Sequence, residues 1–378
     1  MLRRLIATSW LLAGWVASAG AATPTTCDVF KGGDDGYHTY RIPSVVLATN
    51  GTLLAFCEGR HDNGRDAGRI DLVLKRSTDR GQTWSGLQVV WSDDGNTCGN
   101  PTPVVDRTTG VIWLLMTWNL GSDLERDIEA GKSRDTRRVF VCSSSDNGDS
   151  WSKPKEITHE VKPEDWHWYA TGPVNGIQLM RGEHAGRLVI PANHSVLSTN
   201  SHPATLSHVI YSDDHGATWK VGGVEEEKTN ESTVAERADG SLLQNMRSNH
   251  GQHRRAVATS KDGGLTWSPV RLDPALVEPV CQGCLLRATW AGPGSKSRLL
   301  FSNPASTKRE RLTVRVSYDE GETWPVSQTL FDGSAAYSDL VMLDGSTVGC
   351  LFECGENNPY ERIEFARFPL SWLEGNRK

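Results

Sequence analysis

An all-β chain, folded as a six-bladed β-propeller of four-stranded antiparallel blades, is the class this sequence predicts. Three observations predict it. One short turn recurs five times, strand-like runs of four to eight residues separate the copies, and helical periodicity is scarce. The turn reads Ser-x-Asp-x-Gly-x-(Thr/Ser)-Trp at residues 77–84, 144–151, 212–219, 260–267 and 317–324. Successive starts lie roughly 50 to 70 residues apart, a spacing typical of radially repeated or stacked architectures. Chemically the turn braces itself. Ser and Asp oxygens accept from nearby backbone amides, Gly permits a positive φ, and Trp wedges into an apolar layer. A motif repeated this often is read as structural.

Taken in order, residues 41–47, 51–57, 71–76 and 87–91 read as the four strands of a first blade, with the first turn between the third and fourth. Further blades open at residues 101–105, near 172–177, at 232–235 and at 283–287. A sixth starts at 337–342, continues through 347–352 and 363–367, and lacks the turn. Its fourth strand is expected from the N-terminal residues 27–30, which would close the ring and remove its edges. One short helix is expected near residues 123–132.

The chain begins Met1-Leu2-Arg3-Arg4, turns apolar over residues 5–16 and reaches small residues at 17–22. This pattern is a signal peptide, too short in its apolar stretch to span a bilayer. The expectation is therefore a secreted or periplasmic protein with residues 1–22 removed and residues 23–378 forming one domain. A net charge of −6 with both signs interspersed offers no basic stripe for nucleic acid and no membrane-inserting face. A small or glycan ligand and a monomeric protein are expected. Eight cysteines in an exported chain suggest disulfides, although buried thiols are also open at Cys281, Cys284, Cys350 and Cys354. Those same four could on paper hold zinc, an assignment not favoured here; no metal or cofactor is expected. Trp113, Trp118, Trp166 and Trp168 serve either the core or sugar stacking.

Strand direction locates the chemistry. In an antiparallel blade the start of the first strand and the end of the second share one face, and the third strand ends on the other. The repeated turns therefore lie opposite the functional loops. On the functional face the pattern puts Arg41, Glu231 and Tyr337 at first-strand starts, and Glu58, Arg60, Arg247, Arg309 and Glu353 at or beyond second-strand ends. Several guanidinium groups converging there suit an anionic ligand, above all a carboxylate, which matches their fork geometry.

With Tyr40-Arg41-Ile42-Pro43 ahead of five Asp-containing turns, the mature chain strongly resembles the exo-sialidase (neuraminidase) family, of bacterial type. The resemblance implies an arginine triad of Arg41, Arg247 and Arg309 around the sialic acid carboxylate, with Arg311 and Arg315 as neighbours that could replace Arg309. It implies Tyr337 as nucleophile and Glu231 as the carboxylate beside it, Glu236 being the weaker choice. Glu353 would orient Arg41. The acid/base falls in residues 60–69, where Asp66 fits the register and Asp62 competes. A neutral tyrosine suits an anomeric carbon that already bears a carboxylate, since an anionic nucleophile would be repelled there. The implied activity is retaining hydrolysis of terminal sialic acid from a sialylated glycan. The alternatives are a non-catalytic Asp-turn propeller that binds glycans or proteins, and the same fold used for a related keto-acid sugar or as a trans-sialidase. Asn230-Glu231-Ser232 is also a glycosylation sequon, expected to be unmodified on such a face.

Overall fold

A computed structural model of the chain describes residues 23–197 and 203–375. The proposed signal segment, residues 1–22, lies outside the described residues. Almost all regular structure is antiparallel sheet, laid down as successive meanders. The first comprises Thr39–Leu47, Leu53–Arg60, Ile70–Ser77 and Gln88–Trp91. Thr97–Val105, Ile112–Asn119, Arg138–Ser144 and the short Lys155–Glu156 form the next. Trp166–Thr171, Leu188–Leu197, Pro203–Ser212 and Lys220–Val224 follow. Then come Thr229–Glu236, Leu242–Ser248, Arg254–Ser260 and Arg271–Val277.

The last two meanders share a strand. Cys284–Thr289, Arg298–Pro304 and Glu310–Ser317 pair in turn, and Glu310–Ser317 pairs with the first half of the 17-residue strand Val326–Met342. The second half of that strand pairs with Thr347–Gly355, which pairs with Arg362–Pro369. Arg362–Pro369 then pairs with Thr25–Lys31, so the N-terminal strand completes the C-terminal meander as expected.

Two expectations need correction. The third meander opens at Trp166–Thr171 rather than near residues 172–177, because Gly172 (φ 60°) followed by Pro173 ends the strand there. The eight cysteines form no disulfides. Seven are buried, six of them on strands and Cys281 in the loop before Cys284–Thr289; Cys284 donates to Asp339 Oδ1 at 3.1 Å, and no group of residues with metal-ligating geometry occurs among the described residues. The expected helix near residues 123–132 is the short Glu125–Glu129.

Each repeated turn docks on an adjoining meander. In the first, Ser77 Oγ accepts from Gly81 N at 2.8 Å, and Asp79 accepts from Thr83 N and Oγ1 at 2.9 and 2.6 Å. The Trp84 ring meets Phe365 edge-on at 5.3 Å, Trp151 meets Phe56 at 5.6 Å, and Trp219 meets Trp113 at 6.3 Å. Gly81 has φ 79°, and a Cβ there would fall 2.2 Å from Phe365, so both its conformation and its neighbour require glycine. Strand register separates the two ends of the sheets. Leu47 pairs with Leu53 and Leu53 with Ser77 at the turn end, whereas Arg41 pairs with Glu58 and Arg60 with Ile70 at the other.

Candidate active site

At the end opposite the turns, a cavity of about 410 Å³ is lined by Arg41, Asp66, Glu231, Arg247, Arg309 and Tyr337, among others. Six of the seven residues expected from the sequence line it, and the seventh, Glu353, lies directly beneath. Tyr337 sits at the centre, 5% exposed, its hydroxyl donating to Glu231 Oε1 in a short contact. Arg247 Nη1 lies 3.0 Å from Glu231 Oε2 and 3.3 Å from the Tyr337 hydroxyl. The guanidinium carbons of Arg41 and Arg309 stand 5.3 and 5.6 Å from the Tyr337 ring centroid. Three cations thus surround one phenol.

Glu353 is fully buried and satisfied on three sides. Its Oε1 accepts from Arg41 Nε at 2.7 Å and Ile42 N at 2.9 Å, and its Oε2 accepts from Tyr337 N at 3.1 Å. It therefore fixes a guanidinium and the tyrosine backbone together, which a buried carboxylate can do at little cost only when paired this fully. Arg60 donates to Glu58 at 2.6 Å and reaches Asp66 Oδ1 at 2.8 Å. The Asp66 side chain stays 60% exposed at the mouth.

These environments set the charges. Burial pushes the Tyr337 phenol well above its ordinary value, Glu231 pushes the same way, and Arg247 opposes both. Burial also acts to raise the Asp66 carboxyl, but Arg60 and Arg41 outweigh it and hold it below the usual carboxylate range. For Arg41 burial is opposed by Glu353 and Tyr337, and the guanidinium stays charged.

The rival residues lie elsewhere. Asp62 is exposed and does not line the cavity. Glu236 is at the turn end of its strand, accepting from Met180 N and Arg181 N at 2.8 Å each. Arg311 is 56% exposed beside Asp332, and Arg315 donates to Asn303 at 2.8 Å.

The cavity also holds residues to which the sequence reading gave no role. Tyr360 packs its ring 4.0 Å from the Arg41 guanidinium carbon and accepts from Arg309 Nη1 at 2.6 Å, orienting two of the three arginines. It lies in the loop after a second strand, so the reading that found Arg60 and Arg309 could have reached it. Arg137 lies 4.0 Å from the Trp168 ring centroid and donates to Asn119 at 2.5 Å. Trp168 lines the cavity while Trp166 stacks on His194 at 3.3 Å, so the tryptophans divide between site and core. Glu125, on the short helix, has an exposed side chain, yet desolvation at the cavity wall and the nearby Glu129 and Asp66 carboxylates raise it to about 7. Nothing local in the sequence marks Glu125, Arg137 or Asn193 for this cavity.

Comparison with known proteins defines the class first. A family model described as a BNR repeat-like domain matches residues 51–350, which places the chain among proteins of that repeat class. The relatives then narrow it. The chain is 35% identical over 380 residues to a sialidase of Micromonospora viridifaciens, covering 95% of this chain and 57% of that protein. It is 32% identical to an exo-alpha-sialidase of Aspergillus fumigatus, covering 89% and 86%. The solved Hadza microbial sialidase Hz136 superposes with a TM-score of 0.80 at 32% identity, covering 92% of this chain and 69% of that one. This chain belongs to the sialidase family, whose members are glycoside hydrolases.

Proposed function

We propose that this protein is a retaining exo-sialidase, releasing terminal α-linked sialic acid from glycoconjugates through a covalent sialyl-tyrosine. One observation carries the reading: the buried Tyr337 hydroxyl donates to Glu231 within a ring formed by Arg41, Arg247 and Arg309. A phenol held neutral by burial can approach an anomeric carbon that carries a carboxylate. Glu231 takes its proton as the bond to the sugar forms. The three arginines bind the substrate carboxylate and offset the charge redistribution of an oxocarbenium-like transition state. Asp66, at the exposed mouth, protonates the departing aglycone oxygen and then takes the proton of the incoming water. Once the substrate carboxylate occupies the arginines and water leaves, less positive charge acts on Asp66 and it gains the proton that the acid role requires.

In this reading the successive meanders are the blades of a six-bladed propeller, and residues 23–378 form the catalytic domain of a monomeric, secreted or periplasmic enzyme after removal of residues 1–22. The chemistry calls on no metal or cofactor. The test is incubation with a fluorogenic α-glycoside of N-acetylneuraminic acid while product stereochemistry is followed by proton NMR. The expected first product is free α-anomeric sialic acid. A β-anomer as first product would refute retention, a 2,7-anhydro sugar would indicate intramolecular transfer, and no release at all would remove the hydrolase reading.

A further inference from the structure

The strand that carries Tyr337 is not held as a strand normally is. Its pairing with Thr347–Gly355 runs through Ala335 to Cys354 and resumes at Ser338 to Phe352, leaving Ala336 and Tyr337 opposite the single residue Glu353. Such a bulge re-aims a side chain but leaves the local ladder broken. Side chains from distant segments take over. Glu353 accepts from Tyr337 N, and at the next residue Ser338 N donates to Gln282 Oε1 at 2.9 Å while Gln282 Nε2 donates to the Ser338 carbonyl at 3.0 Å. The Ser338 hydroxyl lies 2.8 Å from that of Ser302. One residue further, Asp339 Oδ2 accepts from Ser44 Oγ and Val45 N at 2.9 and 2.8 Å.

Gln282 is 1% exposed, and both ends of its carboxamide are committed to the N–H and C=O of one residue, the donor-and-acceptor pair a neighbouring strand would supply. Its own position is fixed from below. The preceding carbonyl, Cys281 O, accepts from Arg255 Nη1 at 2.5 Å, and Arg255 pairs with Glu278 at 2.7 Å with neither side chain exposed. Glu278 Oε1 also accepts from Ser248 N at 2.7 Å, beside Arg247. A single buried ion pair thus underlies the segment of Arg247 and the segment of Gln282.

We propose that Gln282 is a positioning residue for Tyr337: through Ser338, where the ladder resumes, it braces the side of the strand that has no sheet partner and fixes the tyrosine hydroxyl against Glu231. This rests on the reading of Tyr337 as nucleophile. Placement matters more to bond formation than to binding, because reactions fall steeply with small misalignment of the attacking atom whereas the arginines remain in place.

The test compares two measurements on the full chain: the rate at which 2,3-difluorosialic acid labels Tyr337, read by peptide mass spectrometry, and the equilibrium binding of the non-covalent inhibitor DANA. For Gln282→Leu, labelling should slow by about tenfold to a hundredfold while the DANA dissociation constant changes by less than about threefold. Gln282→Glu adds a pH signature. Its ionised carboxylate can accept from Ser338 N but repels the Ser338 carbonyl, whereas the protonated acid restores both bonds; the charged groups around it are Arg255 and Glu278 on the adjoining Cys281 backbone, Asp339 next to Ser338, Glu353 on Tyr337 N, and Arg309, Arg247 and Glu231, which act on Cys281. Its labelling rate relative to the wild type at the same pH should therefore climb toward one as pH falls, even if Gln282→Leu does not fold. A folded Gln282→Leu that labels at the wild-type rate, or equal losses in labelling and binding, or a flat ratio for Gln282→Glu, would overturn the proposal. Failure of the wild type to label at Tyr337 would instead overturn the nucleophile reading, and this inference with it.

Discussion

The two ends of the sheets are built on opposite principles. At one end the same turn is made five times with the same bonds: Ser to Gly N at 2.8 or 2.9 Å and Asp to the Thr or Ser hydroxyl at 2.5 or 2.6 Å in every copy. At the other end no motif recurs, and its polar contacts join residues as far apart as Arg41 and Glu353. The same first strands cross from one end to the other, leading from Arg41 to Val46, from Glu231 to Ala235 and from Tyr337 to Val341. At the turn end those apolar residues line a second cavity of about 300 Å³. Repetition secures the frame, and departure from repetition makes the pocket.

Damage at the two ends should therefore differ in kind. The largest effect is expected from Tyr337→Phe, which keeps the packing but removes the hydroxyl shared with Glu231. Sialoside turnover should fall at least about a thousandfold while the urea unfolding midpoint stays close to that of the wild type. Near-normal turnover would break the contrast at its strongest point.

Asp66→Ala should cost about a hundredfold with a natural glycan and much less with an aryl sialoside, whose leaving group needs no proton. Because Arg60 and Arg41 hold the free Asp66 carboxyl below the usual range, its acid form is lost at an unusually low pH. The value of kcat/KM should accordingly decline as pH rises through this lowered value, beginning below the usual carboxylate range, and this falling limb should be absent from aryl-sialoside hydrolysis by Asp66→Ala.

At the turn end, Trp84→Ala should lower stability by about 2–4 kcal/mol in urea titration, since it removes a ring wedged on Phe365. The kcat of the protein that remains folded should not change. The smallest effect concerns acid. The turn carboxyls of Asp79, Asp146, Asp214, Asp262 and Asp319 all lie below their ordinary value, and for Asp146 and Asp262 that means about 2. A depressed carboxyl stabilises the fold above its unfolded value of about 4 and loses that contribution as pH falls through the folded one. The thermal midpoint should therefore drop between about pH 4 and pH 2, and Asp146→Asn should flatten that drop.

What could be read without coordinates follows the same division. Local chemistry announced the turns, and strand direction then carried Arg41, Glu231, Arg247, Arg309 and Tyr337 to one end. Register favoured Asp66 but left Asp62 open, and of the two it is Asp66 that lines the cavity. The third meander was misplaced because the strand was sought after the Gly172-Pro173 break, whereas the aromatic run Trp166–Thr171 before it has the strand composition. Arg137 and Gln282 were out of reach for another reason: they meet Trp168 and Ser338 in other meanders, and no short pattern encodes a contact between meanders. Free thiols replaced the suggested disulfides because the cysteines are dispersed through packed strands, where each serves as a small apolar side chain.

The pairing of Thr25–Lys31 with Arg362–Pro369 imposes an order in time. During synthesis the strand made first has no partner until more than three hundred residues have followed it, so its backbone edge must wait, open to any other strand. A chain cut short before Arg362 lacks that partner altogether, and the edge meant to seal the molecule would become a place for two molecules to join.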